Sequence, residues 1–368
     1  MIRRVCLLLI LGASLAAPAT VAAQVTPAAG STPPDDTQAI RIGAVIFYDY
    51  TYQKEPKVTD ADGNRVSLTS FNVPRTYINV TGNISHLVLF RITPDVSRET
   101  NATPALSGSY VFRMKYGYAQ FVLDDWLWRG SWARLGIQQT VLIDSMEGVY
   151  RYRFQGTTFV ERDGGLPSSD GGVSFRTAFP KNYGDVHVGV YNGEGYSRAE
   201  VNNQKSVQIR GTLRPLPSAN GILRTLRLTG YYNNDHYLAN APRTRGVFNV
   251  LAEHRYFNVG FDYITGADQT TPTAAKVETD GYSFWVTPFF KEKGNGPEAL
   301  IRYDSYRPNA EIDARRNRLI AGVAYWFPHP GGNATAALLL DWEQVHFSNF
   351  TTPQQKQEKL MLQGLISF

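Results

Sequence analysis

From residue 40 onward the chain runs in short segments that alternate apolar and polar residues, and the links between them alternate short and long. A period of two puts successive side chains on opposite faces of a strand. Sixteen segments can be counted, near 40–52, 71–82, 86–94, 110–122, 132–142, 172–180, 186–192, 205–214, 222–232, 246–255, 257–265, 280–290, 298–306, 316–327, 334–345 and 357–368. Short links fall at 81–85, 180–185, 215–221, 255–256, 291–297 and 328–333. Long links fall at 53–70, 95–109, 193–204, 233–245, 266–279, 307–315 and 346–356. A sandwich or a propeller has no reason to sort its links by parity. A transmembrane barrel does, with short periplasmic turns on one side and long extracellular loops on the other. The fold expected over 39–368 is therefore all-β: a closed, antiparallel transmembrane β-barrel of about 16 strands. An even strand count puts both ends of the barrel on the periplasmic side.

The two ends of the chain agree. Residues 357–368 carry Leu360, Leu362, Gly364, Ile366 and Phe368 on one parity, with Lys359, Met361, Gln363, Leu365 and Ser367 on the other. An apolar strand left at a sheet edge invites aggregation. A closed barrel pairs its last strand with its first and has no edge. A last strand ending in Phe resembles those of bacterial outer-membrane barrels, which implies that Phe368 is read by the barrel-assembly machinery. At the other end, Arg3 and Arg4 precede an apolar run at 5–11, and Val21-Ala22-Ala23 fits a cleavage site before Gln24. Residues 1–23 read as a secretory signal peptide, with a core too short to span a membrane. The one cysteine, Cys6, leaves with it, so disulfides, cysteine-ligated zinc and thiol catalysis are not expected. Residues 24–38, rich in Pro, Thr, Ala and Ser, read as a flexible periplasmic lead.

After the signal, no stretch approaches the roughly 20 apolar residues of a membrane helix. Mean hydropathy is −0.28 although 43% of residues are hydrophobic, as when a lipid face is hidden in alternation. The 21 Tyr and 19 Phe suit aromatic girdles at the two interfaces. The formal charge of +5 falls to +3 without Arg3 and Arg4, too little to argue for nucleic-acid binding.

Parity then assigns faces. Tyr110, Phe112, Met114, Tyr116 and Tyr118 are expected toward lipid and Arg113 and Lys115 toward the lumen, because a midplane charge costs roughly 2–4 kcal/mol. Val207, Ile209 and Leu213 point outward against Gln208, Arg210 and Arg214. Ala336, Leu338, Leu340 and Trp342 point outward against Asp341 and Glu343. A polar interior inside this many strands encloses water, whereas an eight-stranded barrel is filled by side chains. The implied function is passive passage of small hydrophilic solutes and ions. Arg91, Arg113, Lys115, Arg134, Arg176, Arg210, Arg214, Arg227, Arg302 and Arg318 fall on the inward parity, against Asp262, Asp304, Asp341 and Glu343. Basic rings favour anions in a pore. A mild anion preference is expected, reduced wherever a pair such as Arg302 and Asp304 cancels locally.

The longest link, 143–169, carries Tyr150, Tyr152, Phe154 and Phe159, which is apolar surface to bury. Folding into the barrel mouth would bury it and set Arg151, Arg153 and Arg162 opposite Glu147 and Glu161 in a constriction. Arg113, Lys115, Arg134, Arg176 and Arg210 would line the pore around it. Packing on the outer rim is the competing arrangement.

Several segments resemble the phosphate-selective porin O and P family of bacterial outer-membrane channels. They are Phe71-Asn72-Val73-Pro74-Arg75, Arg134-Leu135-Gly136-Ile137-Gln138 leading to Phe159-Val160-Glu161-Arg162, and Val188-Gly189-Val190-Tyr191-Asn192-Gly193-Glu194-Gly195. Ile301-Arg302-Tyr303-Asp304 and Ala321-Gly322-Val323-Ala324-Tyr325-Trp326-Phe327 add to them. The resemblance implies a sixteen-stranded barrel with the third loop folded inward, commonly as a homotrimer. It does not carry over phosphate selectivity, since Lys54, Lys57 and Arg65 in the first loop are diluted by Glu55, Asp60 and Asp62. The partners implied are outer-membrane lipid, the assembly machinery and small solutes or anions; no cofactor is implied. Two other classes are an outer-membrane enzyme and a plugged structural or adhesive barrel. The pair Asp124-Asp125 falls in a turn placed in the periplasm, and His86, His187, His236, His254, His329 and His346 show no metal-type spacing. Catalysis is not expected.

Overall fold

The computed structural model describes residues 36–99, 106–328 and 334–368. The expected signal peptide, most of the lead and His329 lie outside the described residues. The first strands are β1 (Ala39–Thr59), β2 (Arg65–Asn83), β3 (Val88–Arg98), β4 (Tyr110–Val122), β5 (Trp132–Gln139), β6 (Ser169–Ala178), β7 (Gly184–Tyr191) and β8 (Ser206–Leu213). They are followed by β9 (Arg227–Leu238), β10 (Ala241–His254), β11 (Phe257–Asp268), β12 (Val277–Pro288), β13 (Gly296–Asn309), β14 (Ala314–Trp326), β15 (Thr335–Ser348) and β16 (Gln357–Ser367). Two short helices, α1 (Ile143–Tyr150) and α2 (Phe159–Arg162), lie between β5 and β6.

Each strand pairs with its chain neighbours, and β16 pairs back onto β1, so the sheet is a closed barrel. Phe368 completes the seam: its N–H donates to the Ala44 carbonyl (3.1 Å) and its carbonyl accepts from Ala44 N–H (3.0 Å). Beside it, Gly364 lies opposite Tyr48, whose ring occupies the space a Cβ would need. A glycine there lets the aromatic ring lie flat across the closing strand. The assigned faces hold on the later strands. Val207, Ile209, Leu213, Leu340, Leu360 and Leu362 are exposed, while Gln208, Arg210, Asp341 and Gln363 are buried.

Three features differ from the pattern read in the sequence. The link at 53–70 is mostly strand, because β1 and β2 continue as a ladder to a turn at 60–64. Likewise β9 and β10 meet at 239–240. Beyond the apolar band both faces of a hairpin can be polar, so pairing continues after the hydrophobic signal has stopped. The third feature is a change of face within β4. Thr93 pairs with Tyr116 but Pro94 pairs with Met114, which leaves Lys115 as the extra residue of a bulge. Pro94 has no N–H to give the ladder, and bulges are where strands accommodate proline. Tyr110, Phe112 and Met114 are exposed, but Tyr116 and Tyr118 are buried. Arg91 stacks on the Tyr116 ring (4.4 Å) and Arg134 on the Tyr118 ring (4.8 Å). These two tyrosines therefore face the lumen and not lipid. The described end of the lead is also tied down: Asp36 accepts from His86 N–H (3.0 Å), and Asn83 donates to the Thr37 carbonyl (2.6 Å).

Candidate pore constriction

β5 is only eight residues long, and its pairing with β4 reaches no higher than Ile137 opposite Gly117. The chain therefore leaves the wall partway down β4, inside the barrel, and residues 140–168 fold into the lumen. Two apolar clusters hold them there. Val149, Tyr150, Tyr152 and Phe154 pack on Phe47, Trp285, Leu300, Ile320, Trp326 and Leu339 from the inner faces of β1 and β12–β15. Leu142, Ile143, Met146, Phe159 and Val160 pack on Tyr191, Tyr231, Val247, Ile264 and Tyr306. Burying a side chain of this size is worth ~1.5–3 kcal/mol, so the four loop aromatics favour the lumen over a solvated rim.

Polar contacts fasten one side of the loop to the wall. Arg151 ends α1 with a left-handed φ of 65° and pairs with Glu298 of β13 at 3.1 Å, both side chains being buried. The Tyr152 hydroxyl donates to the same carboxylate (2.8 Å). Arg302 donates to the Tyr150 hydroxyl (3.2 Å) and the Thr157 carbonyl (2.9 Å). Arg162 pairs with Glu343 (3.4 Å), and Arg245 donates to the Gly164 carbonyl (2.8 Å).

The other side of the loop carries a chain of charges. Arg153 bridges Glu147 (2.7 Å) and Glu161 (3.1 Å). It lies within electrostatic reach of Arg75 and Tyr77 on β2. Lys115, the bulge residue of β4, is buried between the rings of Tyr77 (4.9 Å) and Tyr196 (5.4 Å). Its Nζ also contacts Ser168 of the loop (3.4 Å). Glu147, Arg153, Glu161 and Lys115 thus come together. Arg151 and Arg162 do not join them, being held at the opposite wall. Arg134 lies on the β5 wall, donating to Gln120 (2.8 Å) and Gln139 (3.0 Å) above the Trp132 ring (3.9 Å). Arg113 pairs with Asp95 (3.0 Å). Arg176 and Arg210 share Asp185 at 2.5 and 2.9 Å, nearer the short turns.

The sequence pattern missed lumen acids. Asp95, Asp185 and Asp235 fall in links when strands are cut where their apolar pattern stops, yet the strands run on through them. Glu253 and Glu298 also reach the interior, where they pair with Arg227 and Arg151. Tyr196 comes from the link after β7 and donates its hydroxyl to Asp95 (2.8 Å). No periodicity marks such a loop residue. The extra acids do not cancel the field, because lumen carboxylates are shared among a larger number of guanidiniums. Asp95 holds Arg75 and Arg113, Asp185 holds Arg176 and Arg210, and Asp163 and Glu343 between them hold Arg162, Arg316 and Arg318. Each set keeps a net positive charge. Around Arg153 the count reverses, with two carboxylates on one guanidinium.

No protein-family model and no curated protein matches the chain. Solved structures do match it in fold. The anion-selective porin from Comamonas acidovorans superposes with a TM-score of 0.61 at 10% identity, over 90% of this chain and 100% of that one. The trimer form of OmpT, an outer membrane protein of Vibrio cholerae, gives 0.57 at 10% identity, over 90% and 100%. The outer membrane channel DcaP of Acinetobacter baumannii gives 0.57 at 10% identity, over 93% and 100%. At such low identity the likeness is one of architecture, and what is shared is the closed β-barrel fold.

Proposed function

We propose that the protein is an outer-membrane porin: a water-filled channel for passive diffusion of small hydrophilic solutes and ions, with a mild anion preference. The observation that carries this is a closed barrel with an apolar outer face and a charged interior, narrowed by one inward loop. In this reading the exported chain loses its signal peptide, and its short turns and both barrel ends face the periplasm. Phe368 closes the barrel and is the element the assembly machinery reads. Lys115, Glu147 and Arg153 seal the loop against the wall carrying Arg113 and Arg134, and solutes pass beside it, where Arg75 and Arg113 keep part of their side chains exposed. The shared carboxylates leave positive charge in a low-dielectric passage, which supports the anion preference.

A neighbour in fold described as anion-selective and another described in a trimer form are in keeping with this preference and with a homotrimer. The resemblance to the phosphate-selective porin O and P family points the same way without supplying phosphate selectivity. The tempting acid pair has another role, since Asp124 accepts from the N–H groups of Gly130 (2.7 Å) and Ser131 (3.1 Å) and so ties its own turn. Liposome swelling separates an open channel from a plugged barrel. Vesicles containing the purified protein are expected to swell in an isotonic pentose solution. Swelling no faster than protein-free vesicles would overturn the channel reading.

A further inference from the structure

Beneath α1, at the end of the barrel assigned to the periplasm, lies a cavity of about 560 Å³. It is walled by β6–β10 and by the turns at 123–131 and 179–183, with Ser145 of α1 reaching its lining. Six cationic side chains line it: Arg129, Arg176, Lys181, Arg210, Arg214 and Arg227. Asp185 is the one carboxylate among the described residues of the lining. Arg176 and Arg210 share it, and Arg227 pairs with Glu253, which also engages Lys293 (2.8 Å). The side chains of Arg129, Lys181 and Arg214 have no ion pair among the described residues.

Arg210 is buried to all but 5% of its side chain, and its Nε has no hydrogen-bond partner among the described residues. The Nε of Arg227, on a side chain 21% exposed, likewise has no hydrogen-bond partner among the described residues. Arg214 lies beside the Arg227 charge, with Glu253 and Asp185 as its neighbouring counter-charges. Asp144, exposed in the first turn of α1, interacts with Arg210 and reduces the excess without removing it. A cleft in which cations outnumber carboxylates concentrates counter-ions. Its volume lies within the ~300–1,000 Å³ of pockets for organic ligands, which is far more than a halide needs. Guanidinium forks fit the paired oxygens of carboxylates and phosphates alike.

We propose that this vestibule is a binding site for a compact multivalent oxyanion, a polycarboxylate or a phosphate compound, distinct from the loop constriction. Its assignment to the periplasmic side rests on the porin reading, but binding does not require conduction. The test titrates the purified, detergent-solubilised full chain with citrate, and separately with pyrophosphate, by calorimetry at low salt. Saturable binding of at least one probe is expected; citrate alone points to carboxylates and pyrophosphate alone to phosphates. The pair Lys181→Gln and Arg214→Gln should weaken it about tenfold or more, as expected for losing charge-assisted hydrogen bonds. Neither side chain holds an ion pair among the described residues, so the variant should keep wild-type heat-modifiable mobility, and Arg214→Lys should retain most of the affinity. In planar bilayers the same anions should reduce conductance at lower concentration from one side than from the other. Absence of saturable binding, or binding unchanged in the double variant, overturns the proposal. Binding without any channel conductance would sink the porin reading and leave the site standing.

Discussion

Replacing Glu298 by alanine is expected to release the inward loop from the wall and raise single-channel conductance with added noise. Glu298 and Arg151 are both buried, and the carboxylate also accepts from the Tyr152 hydroxyl (2.8 Å) and from Gly294 N–H (2.6 Å). Removing one partner of a buried ion pair costs about 3–5 kcal/mol, because the other is left buried and uncompensated. The barrel ladder does not depend on this contact, so the loop should yield first and the heat-modifiable barrel should persist. Replacing both partners, with Arg151→Met and Glu298→Leu, removes the stranded charge and should restore much of the wild-type conductance. Wild-type conductance and melting in Glu298→Ala would mean that the pair does not hold the loop.

Leu340→Arg should be the most damaging change on the outer face. Leu340 is exposed near the middle of β15, between Leu339 and Asp341, which are buried and face inward. An arginine on the lipid face costs roughly 2–4 kcal/mol at the bilayer midplane. The amount of folded, heat-modifiable barrel in the outer membrane should fall sharply. Tyr116→Arg, beyond the β4 bulge, enters the lumen instead and should spare insertion while altering conduction. Normal insertion of Leu340→Arg together with failed insertion of Tyr116→Arg would show that both faces have been assigned backwards.

The strand count was legible because a lipid-facing stripe must alternate with period two, and every strand from β1 to β16 carries one. Strand ends were less legible, since hairpins such as β1–β2 continue into water where no apolar signal is required. The bulge beside Lys115 had one trace in the sequence, Pro94, and that residue lies on the partner strand. Tyr150, Tyr152, Phe154 and Phe159 announced a loop with surface to bury, and they lie in the lumen. Which side of that loop is sealed could not be read, because it is decided by partners such as Arg151 and Glu298, far apart in the chain. The same limit hid the sharing of Asp95 by Arg75 and Arg113, from three different strands.

The zero-current potential of the purified protein in a planar bilayer under a potassium chloride gradient tests the central claim most directly. A water-filled lumen whose guanidiniums outnumber the carboxylates they share should conduct in discrete steps and reverse at a potential favouring chloride. The preference should weaken as salt rises, since screening shortens the reach of these charges. A reversal potential of the cation-selective sign, or no conducting steps from correctly folded protein, would contradict the account.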